Sequence, residues 1–171
     1  MAEMSESMEY YFKSINDEVL RCYDIANKAK SLGFDPDSRV KIPLAKNMAE
    51  RVEGLIASVA PEIVDKGVPE RIQELEAKYG SQDWRVALTI SEEVAKEKFC
   101  EFGTKKKAME IGIRVGFAYV TVGVVASPLE GFVELKIMKR ADGKEYFCLM
   151  YGGPVRSAGG TGASVSVLIA D

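Results

Sequence analysis

Asp142-Gly143 is the point in this 171-residue chain that leaves the fewest conformational choices. An Asp-Gly pair takes the positive φ angles of a tight reversal at low cost, and here it stands between two strand-like runs, Phe132 to Lys139 and Glu145 to Tyr151. A two-residue turn would set Val133 opposite Gly152, Leu135 opposite Met150 and Ile137 opposite Cys148, which builds one continuous apolar face. Phe147 and Leu149 add apolar surface on the other face of the second strand, so that strand is expected to be the more buried of the two.

The second strand runs straight into Tyr151-Gly-Gly-Pro-Val-Arg-Ser-Ala-Gly-Gly-Thr161, which holds four glycines, a proline and an arginine in eleven residues. That composition makes a loop, and Val165, Val167, Leu168 and Ile169 then begin an apolar element. If Thr161 or Ser164 caps a helix there, the free N–H groups of its first turn point back at Arg156, and Arg156, Ser157, Gly159, Gly160 and Thr161 form a candidate anion, DNA or interdomain contact. The spacing fits neither Gly-x-x-x-x-Gly-Lys-Ser/Thr nor Gly-x-Gly-x-x-Gly. A tight structural crossover with Arg156 bonded to carbonyls or a carboxylate therefore stands beside the anion reading.

At the N-terminus, a polar tail over residues 1 to 7 precedes Met8, Phe12, Ile15, Val19, Cys22, Ala26 and Ala29, which step alternately by four and three. This is a heptad seam along a helix that Gly33 stops. Glu9 to Lys13, Asp17 to Arg21 and Asp24 to Lys28 place acid before base at i,i+4 on the outer face. Two readings stand for the seam: packing inside its own domain, or assembly with a partner or a second copy through Met8, Phe12, Ile15, Val19 and Cys22.

Asp35-Pro36-Asp37 reads as a turn, and Val40 to Ala45 as an extended edge limited by Pro43. Asn47 with Glu50 resembles a capping box for a helix through Val59 that buries Met48, Val52, Leu55 and Ile56. A short turn follows Pro61; Pro69 opens a helix that Gly80 closes, and Ser81 to Phe99 reads as another, with Trp84, Leu88 and Val94 apolar. Thr104 caps a long helix from Lys105 to about Val125, although the β-branched run from Val120 leaves a strand open for its last part. Within it Ala108, Gly112 and Gly116 fall at i,i+4 and leave a groove for a close backbone neighbour. Lys105-Lys106-Lys107 reads as a solvated face, with phosphate contact as the alternative.

Helices followed by a hairpin make an α+β fold: a mainly helical scaffold over 1–126, then the hairpin, glycine-rich loop and the start of a helix over 127–171. The net charge of −3 argues against a free-standing nucleic-acid binder. There is no histidine, and Cys22, Cys100 and Cys148 lie far apart, so neither histidine-based catalysis nor a zinc site is expected, and no metal site or other cofactor. Reduced thiols and the lack of a signal pattern suggest the cytoplasm, and the apolar run from Val115 to Ala126 is about half of the ~20 residues that span a bilayer.

Three stretches resemble the large subunit of the archaeal family-D DNA polymerase: YGGPVRSAGGTGASVSVLIAD (151–171), beside the family's Gly-Pro-Ile-Arg-Ser-Ala-Gly-Gly-Thr; KIPLAKNMAERVEGL (41–55); and SPLEGFVELKI (127–137). Gly152, Val155 and Gly162-Ala163 depart from the family pattern. The resemblance covers most of the chain, in order, and corresponds to the family's extreme N-terminal region. It implies a large subunit that holds the polymerase active site and works with a small subunit carrying 3′ to 5′ exonuclease activity. The acids that bind two metal ions, with magnesium expected, would belong to double-psi barrels farther along a longer chain cut here at Asp171. It also implies that 1–171 is catalytically silent and organises the enzyme, meeting DNA through the full-length protein. A stand-alone phosphate- or nucleotide-binding protein and a dimerisation module are the alternatives.

Overall fold

The computed structural model describes residues 5–34, 45–122, 127–153, 155 and 160–171. It divides into two compact units, Met1–Leu44 and Ala45–Asp171. In the first, helix α1 runs over Glu6–Ser31 and so starts within the expected polar tail. Glu6 and Glu9 in its first turn and Lys28 and Lys30 in its last complement the helix dipole. Gly33 (φ +77°) ends it: the Gly33 N–H bonds the Lys30 carbonyl and the Phe34 N–H bonds that of Ala29, which satisfies carbonyls the helix leaves open. The Asp35-Pro36-Asp37 turn and the expected Val40 to Ala45 extension, all but Ala45, lie outside the described residues.

In the second unit, α2 (Met48–Ile56) is followed by a 3-10 turn (Pro61–Ile63), α3 (Val68–Tyr79), α4 (Trp84–Ala95) and α5 (Lys105–Val120). The Asn47 side chain accepts the Glu50 N–H at 2.9 Å, as expected of the cap, while Glu50 reaches back one residue beyond it to the Lys46 N–H at 2.8 Å in place of the Asn47 N–H of a regular capping box. Helix α4 is shorter than the Ser81 to Phe99 expected from its apolar pattern. Gln82 (φ +61°) and Glu97 (φ +56°) adopt left-handed backbone that a helix cannot include, and Asp83 caps the first turn by accepting the Arg85 N–H. Trp84, counted among the apolar positions, is 59% exposed. One core joins α2, α3, α4 and α5 through Val52, Ile56, Ile72, Ile90, Val115 and Tyr119, all fully buried.

Helix α5 lies against α4 at the distance its glycines allow. A Cβ on Gly112 would stand 2.6 Å from the Ser91 carbonyl oxygen, and one on Gly116 would stand 3.0 Å from that of Ala87, so the small-residue groove is filled by the α4 backbone. Thr104 caps α5 as expected, accepting the Lys107 N–H at 3.2 Å. The helix stops at Val120, short of Val125, where Arg51 donates to the carbonyls of Ala118, Thr121 and Val122, each at 3.2 Å.

A single π turn (Ser127–Gly131) leads into the two-stranded antiparallel hairpin of β1 (Phe132–Lys139) and β2 (Glu145–Tyr151). Its register differs by one from the two-residue turn. Leu135 pairs with Leu149 and Ile137 with Phe147, because the loop has three residues, Ala141-Asp142-Gly143, and Gly143 alone takes positive φ (+81°). The register shift between Phe132 and Glu134 makes a bulge at Val133. The expected burial order is also reversed: Phe132 and Leu135 of β1 are fully buried, whereas no residue of β2 is, because β1 is the strand that α5 holds. Helix α6 (Gly160–Ala170) closes the order. A second core beside α5 gathers Ile113, Phe117, Phe132, Leu135 and Val155, with Ile169 of α6 against it. No helix among the described residues is long and apolar enough to cross a membrane.

Candidate functional site

The candidate seam lies on α1. Ile15 and Val19 are half-buried, Met8, Phe12 and Cys22 are exposed, and no residue of α1 is buried. A shallow groove along the helix is lined by Ile15, Val19, Cys22 and Ala26, so the heptad spacing does bring these positions to one side. Apolar exposure goes beyond the seam, with Tyr10 and Ile25 at 76% and 61%. Arg21 pairs with Glu18 at 3.3 Å on the same helix.

Of the anion-site candidates, Arg156, Ser157 and Gly159 lie outside the described residues, and with them any geometry of Arg156 toward α6. Helix α6 is already formed at Gly160, which puts Thr161 and Ser164 within it and not at its cap, and Thr161 is exposed. The helix is held from beneath. The Tyr151 hydroxyl and the fully buried Ser166 hydroxyl share a hydrogen bond, and Ser166 donates to the Ala163 carbonyl at 2.8 Å.

Sequence reasoning missed the most elaborate polar cluster of this unit, centred on Arg114. Buried on α5, its guanidinium donates to the carbonyls of Pro128 (2.8 Å), Leu129 (2.9 Å), Phe132 and Val133 (2.7 Å), and lies 4.7 Å from the centre of the Phe132 ring. Glu110, one turn earlier, pairs with it at 3.0 Å and accepts the Leu135 N–H with its other oxygen, also at 3.0 Å. A charge-assisted fork of this kind fixes the π turn and the start of β1 against α5. In sequence, Glu110 and Arg114 read as an ordinary i,i+4 surface pair. The signal available was their place among apolar neighbours on every side, Ile111, Ile113 and Val115.

Other buried charges are likewise committed to the fold. Glu93 accepts from Arg71 at 2.9 and 3.0 Å and from Lys98 at 3.1 Å, and the Arg71 guanidinium holds its carboxyl below the usual range. Burial, helped by the Glu76 carboxylate at 2.7 Å, pushes the Tyr119 phenol well above its ordinary value, and the same hydroxyl accepts the Gln82 N–H. Lys106 and Lys107 pair with Glu134 (3.6 Å) and Glu62 (2.7 Å). Among the described residues no group of three or more His, Cys, Asp or Glu could hold a metal ion.

The polar groups inside this unit thus serve its own architecture, and the chain has relatives that match it over nearly its whole length. The DNA polymerase II large subunit of Nanoarchaeum equitans is 46% identical over 161 residues, which cover 94% of this chain and 13% of that protein. Those of Methanococcus maripaludis and Pyrococcus furiosus are each 42% identical, over 98% and 99% of this chain and 14% and 13% of theirs. The chain therefore spans about one seventh of the length of the curated relatives it matches. The family described as "DNA polymerase II large subunit DP2, N-terminal" matches residues 10–171, and this chain belongs to that family.

Proposed function

We propose that this chain is the non-catalytic assembly region of the large subunit of a two-subunit replicative DNA polymerase. The activity itself, DNA-directed synthesis with magnesium, is carried by acids elsewhere in that subunit, and a small subunit supplies the 3′ to 5′ exonuclease. The described residues offer no ligand set for the metal. The observation that carries the reading is the contrast between interior and surface. Buried ionic groups are spent on backbone carbonyls and ion pairs, whereas α1 presents an apolar seam with no residue buried. A seam of that spacing fits one further helix. We assign it to the small subunit, with a second copy of the chain as the alternative occupant of the exposed Met8 and Phe12.

The test is co-purification. Full-length large subunit carrying Phe12→Asp and Ile15→Asp is expected to lose the small subunit while retaining its helical circular dichroism. Retention of the small subunit at wild-type levels would overturn the seam assignment. Contact with DNA at Arg156 is read separately: Arg156→Ala in the holoenzyme is expected to weaken DNA binding and lower its salt slope by about one, and an unchanged slope removes that contact.

A further inference from the structure

We infer that the outer side of α6, with the two grooves beside its last turn, is covered in the full-length large subunit by another segment of the same polypeptide. This rests on the polymerase reading above. Helix α6 carries no charged residue from Gly160 to Ala170, and a helix without a polar face is stable in water only when it is covered all round. Its inner side is covered. Ser166 is fully buried, and the Ile169 side chain comes so close to Gly116 that a Cβ there would stand 3.1 Å from it. The outer side is open, with Val167 and Leu168 at 54% and 55% exposure.

On either side of the last turn lies an apolar groove. One, of about 340 Å³, opens toward α4 and α5 and is lined by Leu88, Met109, Ile113 and Leu168, with Glu92 the charged residue on its α4 side; the other, of about 400 Å³, opens toward β2 and is lined by Phe147, Leu149, Tyr151 and Val167, and Asp171 lines both. Phe147, 44% exposed, carries the apolar surface on to the hairpin. Neither groove is lined by lysine or arginine, which makes a nucleic-acid backbone a poor occupant. Predominantly apolar surface of this kind calls for permanent cover, and a tethered segment supplies it at high effective concentration. The relatives contain ample chain for it, since the matched region is 13–14% of their length.

Photo-crosslinking tests this in the purified complex of full-length large and small subunits. Benzoylphenylalanine at Leu168 is expected to give an intramolecular adduct to a peptide outside residues 1–171, with no change in subunit mass. An adduct to the small subunit, to a second copy or to bound DNA overturns the inference, as does the absence of any adduct. Because a bulky probe can perturb packing, Leu168→Cys serves as the second measurement. Its alkylation in the native complex is expected to be at least tenfold slower than that of Trp84→Cys, and equal rates overturn the inference. Primer extension and the presence of the small subunit are scored on the same preparations. Their loss in the parent complex would remove the polymerase reading, while an active complex with an open Leu168 removes only the cover.

Discussion

Helices α1 and α5 are the longest among the described residues, and they invert the usual relation between pattern and burial. α1 shows the regular stripe, seven apolar positions in strict four-three alternation, and buries none of its 26 residues. α5 has a weaker stripe and buries ten of its 16. A stripe records a helix with one apolar side and one wet side. A helix packed by α4, α2, the π turn, β1 and α6 has no wet side to record, so small residues and a buried arginine replace the stripe. What a regular seam implies is a single narrow neighbour; what an irregular apolar helix implies is the centre of a fold.

The sharpest way to break this contrast is to remove the charge at the centre. Arg114→Met leaves the half-buried Glu110 without its cation and takes the guanidinium donor from the carbonyls of Pro128, Phe132 and Val133. Breaking a buried pair in this way costs about 3–5 kcal/mol, and the expected result is a denaturation midpoint lowered to match, with the hairpin losing amide protection first. A cost below about 1 kcal/mol would mean that water replaces the guanidinium and that α5 is less central than its burial suggests. Gly112→Ala is the next largest. The added Cβ meets the Ser91 carbonyl oxygen at 2.6 Å and the Ala95 Cβ at 2.8 Å, and backbone cannot retreat as a side chain tip can. Overpacking of about 3 kcal/mol outweighs the gain of about 1 in helix propensity, for a net loss of about 2.

Much of this fold was legible in local chemistry. The Asn47 and Thr104 caps, the Gly33 and Gly80 stops and the close approach at Gly112 and Gly116 each follow from one or two residues acting on their immediate neighbours. The misreadings of the hairpin were in large part non-local. The hairpin was evident from Asp142-Gly143, but its register depends on whether Asp142 joins Gly143 at positive φ, and the pair permits either loop. Which strand is buried depends on which one Arg114 and Glu110 hold, and Arg114 reaches carbonyls 14 to 19 residues away that no local pattern predicts. The seam was legible as a face, while its occupant was not, because the partner's sequence is not in the chain. Arg156, Ser157 and Gly159, the heart of the proposed anion site, fall outside the described residues, so the sequence alone speaks for them.

A pH titration sharpens the picture of a unit whose charges serve its own packing. The Glu93 carboxyl is held low chiefly by Arg71, with Lys98 adding to the effect. A depressed folded pKa means that the unfolded chain binds the proton more readily. The pair's contribution is therefore fully present above the ordinary glutamate range near 4.5 and is lost as pH falls through the lower folded value. Urea midpoints measured from pH 7 down to 2 should show an acid-side decline that Glu93→Gln flattens. An unchanged decline in the variant would assign acid sensitivity to other carboxylates.

The smallest expected effect is also the most searching, because it concerns the helix that buries nothing. Phe12→Ala and Ile15→Ala remove apolar side chains from an open seam, so in the isolated chain each should move the denaturation midpoint of the 45–171 unit by no more than about 0.5 kcal/mol. The amides of α1 should exchange with deuterium faster than those of α5 between Gly112 and Ala118, since a helix with no buried residue opens by local fraying while a central one opens only with the whole unit. If either substitution instead cost more than about 1 kcal/mol, or if α1 were protected as strongly as α5, the seam would be packing inside its own chain. The contrast between the two helices would then reduce to one of degree, and the case for an external occupant would go with it.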